Sequence, residues 1–399
     1  MKPPGADAVV VRDGDINTKS EPVRRAMEQR LIENVSALLD ARGIPGEIEY
    51  RRTRPLIHTG ESSVEAAADA AADVFGVVSA SPARRVAPDR DAIVEALAGT
   101  ARACYDGGTF AVSARRAYKG HPYTSQELGE VGGAAIADAV AKDFDPSVDL
   151  DDPDLTFYVE AREDVAFVFL EKRPGPGGLP LGSQTPLVAL VSGGIDSPVA
   201  AHEAMRRGSP IVPIYARLGD YGGPDHEARA METVRRLAEY APNYDLRPYV
   251  FDVGETLTVL AARMNEGRML AFRRLLFRAA EEIARLEGAK GIVAGEAIGQ
   301  KSSQTVANLA VTDAATTLPV HRPLLTWDKA EIEQQAREIG TYDDSTIPTG
   351  CNRFAPPQPL TGASLEGQRG REPHDLFDRA ERIASEAERV PLEPTPDGT

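Results

Sequence analysis

The residues with the clearest chemical meaning form a short glycine-containing loop near the middle of the chain. An apolar run at 187–191 leads directly into Ser192-Gly-Gly-Ile-Asp-Ser197, and Pro198 follows. Because glycine has no Cβ, the backbone of such a loop can approach a ligand closely. Ser197 is predicted to cap a helix that starts at Pro198, and the free N–H groups of a helix N-terminus attract anions. The segment therefore predicts a pyrophosphate-binding loop between a strand and a helix.

The loop differs from two common nucleotide-binding motifs and contains one carboxylate. It lacks the GK[ST] ending of a Walker A loop and the GxGxxG spacing of a dinucleotide-binding fold. Asp196 is predicted to hold Mg²⁺ beside the phosphates, because this hard cation prefers oxygen ligands. The alternative for the same residues is a glycine-rich turn without a ligand, in which Asp196 is an ordinary charge at the start of a helix.

Further segments narrow the interpretation. SGGxDS after an apolar strand resembles the pyrophosphate loop of the ATP pyrophosphatase superfamily. Three other segments, together with this loop, resemble the ThiI family, the tRNA 4-thiouridine synthetases or tRNA sulfurtransferases: GEAIGQKSSQT at 295–305, RPLLTWDK at 322–329 and EIGTY at 338–342. Three segments resemble the family's THUMP domain, an RNA-binding module: TFAVSARR at 109–116, KGHP at 119–122 and SQELG at 125–129.

The resemblance covers about residues 8–356 and implies an enzyme. In the family, ATP adenylates O4 of uridine at position 8 of tRNA, a sulfur nucleophile attacks C4, and AMP leaves. The implied ligands are ATP, Mg²⁺ and tRNA. The sulfur donor is either a cysteine desulfurase persulfide or free sulfide, and a homodimer is expected because the family is often dimeric. The family's link to thiamine synthesis runs through a rhodanese part that does not follow Cys351 here, so it is only weakly implied.

Two other functions fit part of the same pattern. One is a nucleotide-amidating enzyme that uses the same loop and has no need of tRNA. The other is a non-enzymatic THUMP protein that binds tRNA but does not turn over ATP.

Positions in the family's motifs imply the site residues. The implied catalytic residues are Asp196, which also binds Mg²⁺, Lys329, as a cation against the phosphate or leaving group, and Cys351, as the persulfide carrier. The implied ATP-binding residues are Leu190, Val191, Ser192, Gly193, Gly194, Asp196, Ser197, Tyr215, Ala216, Arg273, Gly295 and Gln304. The implied tRNA-binding residues are Arg115, Arg116, Lys119 and His121, with a second basic group at Arg51, Arg52 and Arg54.

Most of these residues also have an ordinary structural interpretation. Arg273 fits a surface charge on an amphipathic helix, and Lys329 fits a solvated helix start beside Asp328. Cys351 fits an inert thiol, and the basic groups fit solvated faces. Cys104, on a predicted helix, is expected to pack in a core.

The alternation of strands and helices predicts the scaffold that positions the loop. Strands alternate with longer helices after about residue 185, which predicts a doubly wound parallel sheet with Tyr215 and Gly295 at strand ends, where such folds bind ligands. The predicted strands are 187–191, 211–215, 249–253 and 291–294. A polar tail with one helix at about 375–389 and a frayed end is expected after 358.

Two further α/β domains are predicted before this one. A βαββαβ-like order predicts a ferredoxin-like α+β domain over 1–82, whose last strand is 75–79. The THUMP domain follows over 83–174, with a helix at 125–141 that Ser125 caps. A glycine- and proline-rich linker at 173–182, expected to form neither helix nor strand, leads into the PP-loop domain over 175–399.

Composition excludes several classes of protein. Two cysteines in 399 residues cannot supply a disulfide framework, a four-cysteine zinc site or an all-cysteine iron–sulfur cluster, so no such cluster is expected. No apolar run of about 18 residues and no signal peptide is present; a cytoplasmic protein without a membrane partner is expected. The net charge of −16 is spread along the chain. It fits ordinary solubility or, as predicted here, adaptation to the high salt of halophilic archaea, in which screening makes a basic RNA-binding surface less necessary.

Overall fold

The computed structural model describes residues 1–51, 54–222, 224–345, 354–356 and 358–392. The chain divides into two compact units, Met1–Pro180 and Leu181–Thr399. The predicted roles of Arg52 and Cys351 fall on residues outside the described ones. The domain boundaries at 82/83 and 174/175 stay predictions.

The first unit is a mixed sheet covered by helices. Its strands are β1 (Ala8–Asp13), β2 (Glu47–Arg51), β3 (Arg54–His58), β4 (Val77–Val86), β5 (Thr109–Arg116), β6 (Ser147–Val148), β7 (Leu155–Ala161), β8 (Ala166–Phe169) and β9 (Arg173–Pro174). Its helices are α1 (Glu21–Ala41), α2 (Val64–Ala72), α3 (Arg90–Cys104) and α4 (Ser125–Val140). The strand order is β2-β3-β1-β4-β8-β7-β5-β6, and β9 pairs with β4.

Strand β4 connects the ferredoxin-like and THUMP parts of this sheet. Its first part pairs with β1 and its last residues pair with β8. The prediction of a strand at 75–79 was therefore wrong in extent. Pro82 lies within β4. On the edge of β4 opposite β1, it falls between Ala80, which pairs with β9, and Arg84, which pairs with β8, so no neighbouring strand needs the N–H group that proline lacks.

The predicted linker also contains a short strand, contrary to expectation. Arg173 and Pro174 form β9, and Gly175 N donates to Val78 O at 2.8 Å. A Cβ on Gly175 would lie 2.4 Å from Val77 O. Glycine thus allows this segment to run directly along β4.

The two faces of the sheet carry different residues because strand side chains alternate. Val9 and Val11 pack against α1 and α2, whereas Val10 joins Phe167 and Phe169 in a second apolar cluster. The core under α3 and α4 includes half-buried Cys104 at its edge, as predicted.

Helix α4 is capped by a different residue from the one predicted. Thr124 accepts from Glu127 N, and Glu127 accepts from Thr124 N, which forms a capping box. Ser125 instead accepts from Arg116 N at 3.1 Å. The sequence contains adjacent hydroxyl residues, and local spacing alone did not distinguish them.

The second unit contains the predicted parallel sheet. Its strands are β10 (Leu187–Leu190), β11 (Ile211–Arg217), β12 (Tyr249–Asp252), β13 (Ile292–Val293), β14 (Val320–His321) and β15 (Glu388–Arg389). Its helices are α5 (Asp196–Arg206), α6 (Pro224–Glu239), α7 (Gly254–Arg263), α8 (Arg268–Glu287), α9 (Val306–Asp313), α10 (Lys329–Glu338), α11 (Tyr342–Ser345), α12 (Leu365–Arg371) and α13 (Leu376–Ser385). The order is β14-β13-β10-β11-β12-β15, with β15 antiparallel at the edge.

The described part of the tail is folded, and the predicted frayed end lies outside the described residues. Leu376, Ala380 and Ile383 recur at helical spacing and place α13 against α8 in the core. Arg274 of α8 is 1% exposed and donates to Glu372 and to Val311 O. The predicted helix is present, but the sequence pattern missed α12 and β15.

Candidate active site and nucleic-acid interface

The predicted pyrophosphate loop lies at the carboxyl end of β10, directly before α5. Ser197 Oγ accepts from Ser192 N at 2.9 Å and lies 3.1 Å from Ser192 Oγ, while Gly194 N donates to Ser192 Oγ at 3.3 Å. Ser197 is not the helix cap that was predicted. Helix α5 begins at Asp196, so the Ser197 hydroxyl lies within the first turn and holds the loop.

Two glycines of the site are required by close backbone approach. A Cβ on Gly193 would lie 3.0 Å from His226 O, at the first turn of α6. A Cβ on Gly295 would lie 2.7 Å from the carbonyl carbon and oxygen of Asp196 and 2.8 Å from Ser197 N. The segment after β13 therefore packs backbone to backbone on the start of α5.

Asp196 and Lys329 form an ion pair. Lys329 Nζ lies 2.8 Å from Asp196 Oδ1, and the two side chains are 47% and 23% exposed, respectively. Lys329 is the first residue of α10, where Asp328 and Glu331 form a capping box. Since the pair is partly exposed, it contributes little to stability. Both groups remain accessible to a charged ligand.

Four of the implied ATP-binding residues lie near the ends of neighbouring strands. Val191 N donates to Ile214 O at 2.9 Å, directly before Tyr215 and Ala216 on β11; Leu190 ends β10. The buried Tyr215 hydroxyl lies 3.0 Å from His226 Nδ1. Burial, and then the charge of Arg229, lowers the pKa of His226, so the neutral imidazole can accept this hydrogen bond.

Arg273 and Gln304 also come together. Arg273 Nη2 donates to the Gln304 side chain at 3.2 Å, with the amide oriented to donate to Ala297 O at 3.0 Å. Arg273 Nη1 pairs with Glu296, whose other oxygen is 2.7 Å from Arg322 Nε. Burial, and then Arg322, lowers the pKa of Arg273 to about 10.

Glu296 and Arg322 were not assigned roles from the sequence, although both lie in segments that resemble the ThiI family. The signal that could have found them is their position. Glu296 directly follows Gly295, and Arg322 opens the RPL segment. No local pattern shows that the two side chains meet.

The four predicted tRNA-binding residues separate into two kinds. Arg115 and Lys119 are exposed. Arg116 Nη1 instead donates to His121 O at 3.1 Å and Tyr123 O at 2.6 Å, and His121 Nε2 lies 2.7 Å from Arg162 O. Arg116 and His121 therefore shape the loop after β5.

A larger basic cluster surrounds Glu160 on this unit and was missed apart from Arg54. Glu160 is 3% exposed and pairs with Arg54 at 2.7 Å, Arg162 at 2.9 Å and Arg12 at 3.8 Å. Burial by itself raises the pKa of Glu160, but the three guanidinium groups outweigh it and the pKa is lowered. Lys172 lies 4.1 Å from the Tyr158 ring centroid, and burial, and then the charge of Arg12, lowers the pKa of Lys172.

Comparison with family models and known proteins identifies the family. The ThiI ferredoxin-like domain matches residues 8–81, the THUMP domain matches 88–171, and the Thiamine biosynthesis protein (ThiI) model matches 182–372. The chain is 59% identical over 386 residues to a probable tRNA sulfurtransferase of Halobacterium salinarum, covering 97% of this chain and 98% of that protein. The chain belongs to the ThiI family. It is also 38% identical over 365 residues to a probable tRNA sulfurtransferase of Methanosarcina acetivorans, covering 90% of this chain and 87% of the relative.

A solved structure agrees with this ThiI assignment. The crystal structure of a 4-thiouridine synthetase–RNA complex with bound ATP matches with a TM-score of 0.83 and 29% identity, covering 96% of this chain and 98% of that chain. The predicted family and the predicted fold class, with ferredoxin-like, THUMP and PP-loop parts, are confirmed. In the described part of the chain, no helix is long and apolar enough to cross a bilayer.

Proposed function

We propose that this protein is a tRNA uracil 4-sulfurtransferase that uses ATP to replace O4 of uridine 8 in tRNA with sulfur. The observation that carries the proposal is the loop of Ser192–Ser197 at a strand–helix junction, with Lys329 and Gly295 against it. Relatives along nearly the whole chain have the name tRNA sulfurtransferase. The 4-thiouridine synthetase neighbour contains RNA and ATP, which supports the same two ligands here.

The chemistry needs two steps because the O4 oxygen is a poor leaving group. O4 attacks the α-phosphorus of ATP and pyrophosphate leaves; a sulfur nucleophile then attacks C4 and AMP leaves. The N–H group of Gly193 and those of the first turn of α5 would bind the phosphates. Lys329 would stabilise charge that develops on the departing pyrophosphate, and Tyr215 and Ala216 would lie beside adenine.

The residues present are compatible with Mg²⁺. Among the described residues, no group of three or more His, Cys, Asp or Glu is placed to hold a metal ion. Mg²⁺ in nucleotide-dependent enzymes commonly takes one or two carboxylates together with substrate phosphates. Asp196, at the start of α5, would be that carboxylate, and the ion would neutralise phosphate charge.

The tRNA contacts are assigned to basic residues of the first unit. Arg115 and Lys119 remain candidates, and the Glu160 cluster adds Arg12, Arg54 and Lys172. Arg116 and His121 contribute through the loop that they hold. Positive charge concentrated on one sheet face, in a chain with a net charge of −16, is suited to a phosphate backbone.

Three finer features belong to the same proposal. Cys351 would carry the sulfur as a persulfide delivered by a cysteine desulfurase; after the persulfide attacks C4, an outside thiol would break the S–S bond and form a disulfide with Cys351. Free sulfide is the alternative donor. The active form would be a homodimer. A tRNA substrate would place the protein in the cytoplasm.

The function is tested by an assay in high potassium chloride. Purified protein receives ATP, Mg²⁺, sulfide and unmodified tRNA, and AMP release is measured together with the near-ultraviolet absorbance of thiocarbonyl bases. We expect both signals, and we expect neither from a matched tRNA with cytidine at position 8. ATP cleavage at the same rate with and without tRNA would overturn the proposal in favour of an amidating enzyme. Full thiolation by Cys351→Ser with sulfide would eliminate an obligatory persulfide.

A further inference from the structure

Glu296 connects two arginines from distant elements. It is 2% exposed and contacts Arg273 of α8 and, at 2.7 Å, Arg322 directly after β14. Arg322 also pairs with Asp313 at the end of α9, at 2.5 Å and 3.2 Å. The two guanidinium groups are thereby matched by two carboxylates.

Glu296 is adjacent in the chain to Gly295, the residue that packs against the phosphate loop. Glu296 directly follows Gly295, whose backbone packs on Asp196 and Ser197 with no space for a Cβ. A shift of Glu296 would therefore move both the Arg273 guanidinium and the backbone next to the loop. In the absence of Glu296, two largely buried cations would face each other with only Asp313, which is 45% exposed, to compensate them.

We propose that Glu296 is a positioning residue for ATP, which acts through Arg273 and Gly295 and does not touch the nucleotide. The inference rests on the proposed function, since it assigns Arg273 and Gly295 to the ATP pocket. The Glu296 carboxylate holds Arg273 in the orientation that binds ATP. A buried ion pair that only stabilises the fold would have no such effect.

The neighbouring residue of α8 provides a matched control. Arg274 is 1% exposed and its Nε lies 2.8 Å and 3.1 Å from the two oxygens of Glu372. This pair connects α8 to Glu372, directly after α12. Gln368 of α12 also contacts Glu372. Glu296→Gln and Glu372→Gln therefore each remove one carboxylate charge from a buried arginine on the same helix.

The test compares ATP affinity and thermal stability of the full-length variants in high potassium chloride with Mg²⁺, by calorimetry without tRNA. We expect both variants to lose stability. We expect Glu296→Gln to weaken ATP binding roughly tenfold to 100-fold, the range found for groups that orient metal-binding side chains, and Glu372→Gln to leave the affinity within about twofold of the wild type. In an Arg273→Gln background, Glu296→Gln should have little further effect, because coupled residues are not additive.

The possible failures are distinguishable. Wild-type protein that does not bind ATP would overturn the proposed function itself. Wild-type binding with equal affinities for Glu296→Gln and Glu372→Gln would overturn only the positioning role. If Glu296→Gln does not fold, Glu296→Asp keeps the charge but shortens the reach; ATP affinity unchanged in that variant would also contradict the inference.

Discussion

Glu160 in the first unit and Glu296 in the second are both buried glutamates surrounded by arginines, but their clusters differ in net charge. Glu160 pairs with three arginines, Arg12, Arg54 and Arg162. Glu296 pairs with two, and Asp313 supplies a second carboxylate. The first arrangement leaves excess positive charge, which suits binding of a polyanion. The second is neutral, which suits holding a neighbouring backbone in place.

Burial lowers the pKa of an arginine in each cluster. Burial lowers the pKa of Arg12 to about 10, with Glu160 opposing the shift and Arg54 adding to it. It lowers the pKa of Arg273 to about 10 as well, with Arg322 adding to the shift. Both guanidinium groups stay charged at neutral pH, so each cluster needs its central carboxylate.

The largest expected effect tests the excess charge around Glu160. Glu160→Ala should lower the free energy of unfolding by about 3–5 kcal/mol, because it leaves buried arginines without their partner. The measurement is urea unfolding of the full chain, with hydrogen exchange at the β7 amides as the probe of unfolding. Glu163→Ala, at an exposed glutamate, is the control and should change little.

The pH dependence of this difference gives a second check. The pKa of Glu160 is below its ordinary value of 4.5, so the folded state prefers the carboxylate. Its stabilising contribution is complete above about 4.5 and is lost as the pH falls through the lowered folded pKa. If the difference in the free energy of unfolding between wild type and Glu160→Ala stays constant across this pH range, an electrostatic role of Glu160 is contradicted.

An intermediate effect is expected at the support of the phosphate loop. Gly295→Ala places a Cβ against the backbone of Asp196 and Ser197, and we expect roughly a 100-fold loss of kcat/KM for tRNA thiolation, the scale of a displacement of about 1 Å. Gly370→Ala, in α12 with no atom near its Cβ position, should retain activity. Normal activity in Gly295→Ala would show that the close packing is not needed.

The smallest expected effect tests whether the excess positive charge binds tRNA. Arg115→Gln should weaken tRNA binding about threefold to tenfold and reduce the slope of log affinity against log salt by about 1, as expected for one phosphate contact. Arg25→Gln removes the same charge from an exposed ion pair on α1 and should leave the slope unchanged. Equal slopes for both variants would assign tRNA binding to another surface.

Local patterns were sufficient for much of this protein. Apolar runs next to SGGIDS predicted β10, the loop and α5, because a strand, a tight turn and a helix start are encoded within about a dozen residues. Short-range signals failed where partners are distant. Strand β4 runs to Val86 rather than ending at 79, and Thr124 rather than Ser125 caps α4, because neighbouring strands and the Arg116 backbone decide these details.

The candidate site shows the same division. Position in the family's motifs implied roles for Asp196, Lys329 and Arg273, and the structure brings Lys329 to Asp196 across 133 positions of sequence. No periodicity pairs Arg54 with Glu160 across 106 positions, or Glu296 with both of its arginines. Those contacts exist only once separate strands and helices pack together.

The amino-acid sequence by itself determined the family, the parallel sheet and the strand–loop–helix order around SGGIDS, since these depend on motifs and on the local alternation of apolar residues. Tertiary structure alone decided which arginines meet Glu160 and Glu296, and that Arg116 and His121 hold a loop. It also decided that the tail up to Val390 folds onto the sheet edge. The physical reason is that charge compensation in a buried site depends on distances in space, which a linear pattern does not contain.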